Sequence, residues 1–228
     1  YAVQRSQTDV NNWPGAGKII EKTRNRLGEL FSVPASGIAF TGNVSESINI
    51  LASGLRWEKG NRILLNSLEF PANVYPFLNL AEKGVAVDFV KSENGIVSAE
   101  MLIENVKPNT KLISVSQVQF LTGYRIDLEK LGRFCKDNGI ILSVDVIQGA
   151  GAFPLNAPEL NIDFLAGGSH KWLMGPQGLG YFYVSERLMA EMKPSAVGWT
   201  SVKDHWSLLN YKLELRDDAA RFEPGTLN

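Results

Sequence analysis

The chain has 228 residues, a formal net charge of -1, two histidines and one cysteine. That length can bury a full core within one large domain, and a near-neutral balance with no basic block gives no footing for nucleic acid or an anionic membrane. The single Cys135 excludes an internal disulfide framework and a cysteine-rich metal site, and His170 and His205 are too few for an ordinary zinc site. With no long apolar run and no basic-then-apolar leader, neither a membrane span nor a signal peptide is expected, and the protein is expected to be cytoplasmic.

In residues 11–31 the apolar Ile19, Ile20, Leu27, Leu30 and Phe31 recur at three- and four-residue intervals, which predicts a helix packed on a sheet. The segment WPGAGK resembles the tail of a phosphate loop. Asn12 stands where such a loop needs its first glycine, however, and Ile19 where it needs Ser or Thr, so no ATP site is expected there. Ile38, Ala39 and Phe40 predict a short strand, and TGNVSE then turns into a helix carrying Ile48, Ile50, Leu51 and Leu55. Backbone amides at such a helix start attract phosphate; Ser45 can equally serve there as a plain helix cap. Residues 62–65 predict a buried strand that delivers NSLEFPAN to the same edge, and residues 85–90 and 112–116 predict two more, joined by a helix over 98–105. Asp127 opens a helix that Gly139 closes. The apolar run 140–144 reads as a central parallel strand, ending in Asp145 with Gln148 just beyond. A strand over 181–184 and a helix over 186–192 follow.

Lys171 is placed oddly for a lysine, which normally occupies solvated faces. It stands between glycines, a histidine and a tryptophan, and between two segments that read as buried strands. A desolvated amine so held can attack a carbonyl and keep it as an imine. Asp145, at the carboxyl end of a buried strand, sits where ligands of open α/β sheets bind. An imine-forming lysine and an aspartate able to face a pyridinium nitrogen are the pair that pyridoxal phosphate requires.

The ordered motifs SVDVIQGAG and DFLAGGSHKWLMGPQGLG resemble the signature of the class V pyridoxal-phosphate enzymes, which include aminotransferases, cysteine desulfurases and isopenicillin-N-epimerase-like proteins. The resemblance covers most of the chain. It implies that Lys171 forms the Schiff base, that Asp145 keeps the ring nitrogen protonated, that Gln148 meets the ring hydroxyl, and that Ser169 and His170 help hold the phosphate. It implies further phosphate contacts from Val44, through its amide alone, and from Ser45. Thr200 is implied to reach a partner subunit's phosphate across a twofold axis. Phe70 stands where desulfurase-like relatives carry a histidine that stacks on the ring; phenylalanine can stack but cannot move protons. Phe120 stands where several relatives place an asparagine for the substrate carboxylate, which leaves that contact to Gln119 or to groups elsewhere.

DDAARFEPGTLN is similar to the RFE-x-GTPN segment that ends the family's large domain, so Arg221 is not expected to be the arginine that grips substrate. By this resemblance residues 1–228 form the cofactor-binding large domain alone, without the N-terminal segment or the small C-terminal domain. The fold implied is α/β, a mostly parallel seven-stranded sheet with helices on both faces. The function implied is a class V aminotransferase acting on an amino acid and a 2-oxo-acid acceptor, as a homodimer. Epimerase-like or desulfurase-like chemistry, or a non-catalytic cofactor-binding fragment, are the alternatives. No thiol nucleophile suited to desulfuration is evident, because Cys135 lies mid-helix in a core-like pattern.

Overall fold

A computed structural model of the chain describes residues 13–227. Asn11 and Asn12, where the first helix and the rejected phosphate loop were expected to begin, lie outside the described residues. Helix α1 (Trp13–Phe31) leads into strand β1 (Ile38–Thr41) and helix α2 (Val44–Gly54). Strand β2 (Arg62–Asn66), a short helix α3 (Tyr75–Leu78), β3 (Ala86–Val90), α4 (Ala99–Glu104) and β4 (Thr110–Ser116) come next. The chain continues through α5 (Leu128–Asp137), β5 (Ile141–Asp145), β6 (Phe164–Gly168), β7 (Gly180–Val184) and α6 (Glu186–Glu191).

The side chains at the helix starts explain where the helices begin. Asn43, Ser98, Asp127 and Ser185 each accept a hydrogen bond from the backbone amide three residues on, meeting a donor that the helix itself cannot satisfy. Asn43, and not Ser45, is therefore the cap of α2.

The seven strands form one sheet in the order β1-β7-β6-β5-β4-β2-β3. Strands β3, β2, β4, β5 and β6 are parallel, as expected; β7 runs antiparallel to both β6 and β1. Both sheet faces are covered, which is what parallel strands with continuous apolar runs require. Along β5 and β6 successive side chains enter opposite layers. Leu142 and Leu165 pack with Phe31 of α1 and Leu131 of α5, while Ile141 and Phe164 pack with Ile48 of α2 and Leu188 of α6.

Two features of this layout position a site. The chain leaves β2 toward β3 in one direction and leaves β4 toward β5 in the other, so the order reverses between β2 and β4, where open α/β sheets bind ligands. Pairing between those two strands also stops at Leu64 and Ile113, so their carboxyl ends diverge.

At the far side of the sheet the C-terminal segment is locked by a bidentate ion pair. Arg24 donates to both carboxylate oxygens of Glu223, at 2.8 and 3.0 Å, and the Phe40 amide donates to the same carboxylate at 2.8 Å. The two side chains are only 14% and 8% exposed, and removing one partner of a buried pair leaves an uncompensated charge. Glu223→Ala should therefore cost about 3 kcal/mol of unfolding free energy in urea titration. A loss within the scatter of ordinary surface substitutions would show that the pair does not hold the segment.

Candidate active site

Asp145 ends β5 between the carboxyl ends of β4 and β6. Its position follows from register: Asp145 pairs with Ser116 of β4 on one side and Ala166 of β6 on the other, which leaves it 3% exposed. One carboxylate oxygen accepts from the Ile147 amide at 2.9 Å. Burial pushes the carboxyl up to about 7; the Ile147 amide opposes this, the charge of Glu69 adds to it and that of Lys171 opposes it. A buried acid with raised proton affinity is a site prepared for a cation.

Lys171 lies in the loop that leaves β6. Its carbonyl accepts from the Met174 amide at 3.0 Å, and Met174 takes a φ of 52° to close the turn. Ser169 anchors the loop from inside: its amide donates to Leu179, its carbonyl accepts from Gly175 at 2.8 Å, and its hydroxyl donates to the Pro176 carbonyl. A Cβ at position 175 would lie 2.7 Å from that of Ser169, so the turn needs glycine there. Lys171 is half-buried and His170 exposed, so the full desolvation expected of Lys171 is not supplied by the described residues. Gln148 is half-buried in the turn after β5.

The start of α2 faces the same edge. Gly180 lets the turn approach β7, since a Cβ there would lie 2.7 Å from Thr41 Oγ1 and 2.8 Å from the Asn43 backbone. Glu46 accepts from the Gly42 amide at 2.7 Å and its own amide donates to Asn43. The amides of Val44 and Ser45 remain without an intrahelical acceptor and can bind an anion; the Ser45 side chain is exposed.

Phe70 is 47% exposed and meets Phe120 edge-on, with ring centroids 5.3 Å apart at 82°. Phe70 is thus no core residue, and the two rings stand together on the rim. Gln119 does not face outward: its amide nitrogen donates to Glu69 at 3.0 Å and to Asn66 at 3.3 Å. Thr200 lies apart from this group, and its hydroxyl donates to the Glu223 carbonyl, so its single proton is used within the chain.

Glu69 and Gln117 were not anticipated. Glu69 is 8% exposed and accepts from Asn66, Asn73, Gln119 and both the amide and the hydroxyl of Ser116. Burial raises its proton affinity, against which those donors act. Gln117 is 2% exposed, and a Cβ on Gly149 would stand 1.9 Å from its side-chain oxygen. The side-chain oxygens of Gln117, Gln119 and Tyr181 are buried without a hydrogen-bond partner among the described residues. No group of three or more potential metal ligands occurs among them either.

These residues fit pyridoxal phosphate. Asp145 offers a buried acid for the ring nitrogen, Lys171 an amine for the carbonyl, and the start of α2 two amides for the phosphate.

The Asp145 shift carries a pH signature. Between about pH 4 and about pH 7 the folded chain keeps a proton that the unfolded chain, with an ordinary carboxyl, has released. Stability from this group therefore falls as pH rises through that window. In the cofactor-free protein Asp145→Asn should be the more stable at about pH 8, by about 1.4 kcal/mol for each tenfold excess in proton affinity that the substitution removes. Glu69, shifted in the same direction, leaves some slope in the variant. Urea unfolding at about pH 5 and about pH 8 checks this, and identical pH dependence in both proteins would contradict it.

Residues 2–228 match the family model described as Aminotransferase class-V. The chain is 34% identical over 214 residues to a probable cysteine desulfurase of Methanothermobacter thermautotrophicus, covering 93% of this chain and 53% of that protein. It is 27% identical to an uncharacterized aminotransferase of Bacillus subtilis, covering 94% of this chain and 56% of the other. Among solved structures it superposes with a TM-score of 0.87 and 26% identity on the cystine C–S lyase C-DES in complex with its product cysteine persulfide, over 97% of this chain and 60% of the other. A mutant of that lyase carries glycine covalently linked to its PLP cofactor. The chain thus spans about half the length of the curated relatives it matches. A sheet of this order, a buried aspartate ending β5, a lysine after β6 and a match across residues 2–228 together place the chain in the aminotransferase class-V family of pyridoxal-phosphate enzymes.

Proposed function

We propose that the chain is the cofactor-binding part of an enzyme that labilises the Cα proton of an amino acid, with transamination to a 2-oxo acid as its reaction. The observation that carries this reading is the buried Asp145, its carboxyl pushed up to about 7, at the sheet edge that Lys171 also occupies. Pyridoxal phosphate, when bound, supplies the carbonyl that takes the substrate's amine and the ring that accepts electrons from Cα.

The chain's own residues supply the rest. Asp145 holds the proton at the ring nitrogen, because a carboxylate in that buried place is costly without a cation facing it. The Val44 and Ser45 amides, with the Ser45 hydroxyl, orient the phosphate at the start of α2. Lys171 would hold the cofactor's carbonyl through its amine, and that amine, when free, would be the group that takes the Cα proton. Phe70 offers a ring face and no proton, so proton transfer is left to Lys171. Gln148 is assigned to the ring hydroxyl, and Ser169 and His170 to the neighbourhood of the phosphate.

Cleavage of a C–S bond is the second reading, favoured by the similarity to a probable cysteine desulfurase and to a cystine C–S lyase. Desulfuration with transfer of sulfur to the enzyme would lack a nucleophile within the described residues, since Cys135 is 1% exposed and its thiol is pushed up to about 12, by burial first and by Asp163 second. A homodimer belongs to the same proposal. Trp199, Leu208, Leu209, Tyr211 and Leu213 expose apolar surface along one segment, which a second copy would cover.

Incubating the full-length protein with pyridoxal phosphate, amino acids and a 2-oxo acid should yield the oxo acid of the donor. Lys171→Ala and Asp145→Ala should each lower that rate by about 100-fold or more. Release of sulfide or sulfane sulfur from cysteine or cystine, with no amino transfer, would replace the first reading by the second.

A further inference from the structure

We propose that Glu69 is a positioning residue for the cofactor, resting on the cofactor reading above: its carboxylate bridges the split between β2 and β4 and supplies a second negative charge that keeps the proton on the ring nitrogen facing Asp145.

The geometry is that of a carboxylate used as a buried hub. Beyond Leu64 and Ile113 the two strands no longer pair, and the Ser116 amide would be left without a sheet partner on that side. Glu69 takes that amide at 2.9 Å and the Ser116 hydroxyl at 2.6 Å. Asn73 donates at 3.0 Å and is itself tied to β4, its own oxygen accepting from the Ser114 hydroxyl at 2.6 Å. Asn66 and Gln119 complete the set. Five donors from four residues, in two stretches of chain, thus meet one carboxyl group, and none of them is a cation.

These donors favour the ionised form, which only accepts, and they act against the burial that raises the proton affinity of Glu69 in the cofactor-free chain. A structural staple alone would not need a charge at this depth. The cost of burying it is offset if a cation binds nearby, and Asp145 is the acid next in line. Ser116, which donates twice to Glu69, is the register partner of Asp145, and the Gln117 amide donates to the Asp145 carbonyl at 2.9 Å.

The titratable or charged groups that bear on Asp145 are Glu69 from the turn after β2, Lys171 from the loop after β6 and the buried Tyr181 on β7. Glu69 has the sign that strengthens an Asp145–pyridinium pair, and Lys171 the opposite sign. The same hub fixes the backbone next to Phe70, so the wall of the site and its charge are set by one side chain.

The test uses the full-length protein loaded with pyridoxal phosphate labelled with 15N at the ring nitrogen, whose resonance reports whether that atom is protonated. Glu69→Gln should lower the pH midpoint of ring deprotonation by about one unit or more, with the cofactor still reducible onto Lys171. Glu69→Asp, which keeps the charge on a shorter arm, should keep the midpoint close to that of the wild type while lowering the thermal unfolding midpoint. An unchanged midpoint in loaded Glu69→Gln overturns the proposal and leaves the cofactor reading standing. Failure of the wild-type protein to take up the labelled cofactor would instead overturn that reading, and this proposal with it. Should Glu69→Gln not fold, carbon-13 spectra of the glutamate carboxyls in the loaded wild-type protein decide. A Glu69 carboxylate ionised from about pH 5 to about pH 9 supports the proposal, and one protonated across that range overturns it.

Discussion

A carboxyl group buried at the end of a central strand is the constraint from which the rest of this site follows. Ionised Asp145 cannot be stable at 3% exposure without a positive charge facing it. Its charged surroundings consist of Glu69, which carries the same sign, and Lys171, which is half-buried in the loop after β6. The register that pairs Asp145 with Ser116 and Ala166 places it beside the point where strand order reverses. The parallel sheet, the glycines that let turns close upon it and the amides at the start of α2 all serve to bring other groups to that edge. Those groups suit a ligand with a basic ring nitrogen, a carbonyl and a phosphate.

Much of this was legible in the sequence because the signals are local. Apolar runs marked the strands, Asp127 and Ser98 marked helix starts, and two glycine-rich motifs marked Asp145 and Lys171. Strand direction is not written in an apolar run, so the antiparallel β7 against β6 and β1 was not foreseen. Glu69 was invisible for a different reason. An acid in NSLEFPAN reads as a loop residue, and its partners Ser116 and Gln119 lie 47 and 50 residues further along the chain. A buried polar hub of that kind is built by tertiary contact, and only the fold reveals it. Phe70 illustrates the converse: its aromatic character suggested a ring platform, and it stands half exposed against Phe120 and outside the core.

The substrate side of the site is drawn more sparsely. The rim shows Phe70 and Phe120 where desulfurase-like relatives are expected to carry polar groups, and Gln119 is turned inward to Glu69. Cys135, packed against the sheet in α5, contributes to the core and to no chemistry. The relatives named as desulfurases and the one named as an aminotransferase share the cofactor end of the problem with this chain.

The central claim is that Lys171 carries the cofactor opposite Asp145. It is tested most directly by adding pyridoxal phosphate to the purified protein, recording the visible absorption, reducing with borohydride and mapping the modified peptide. A yellow protein whose reduced adduct maps to Lys171, and is lost in Lys171→Ala, is the predicted result. An adduct that maps elsewhere, or that persists unchanged in Lys171→Ala, would contradict it.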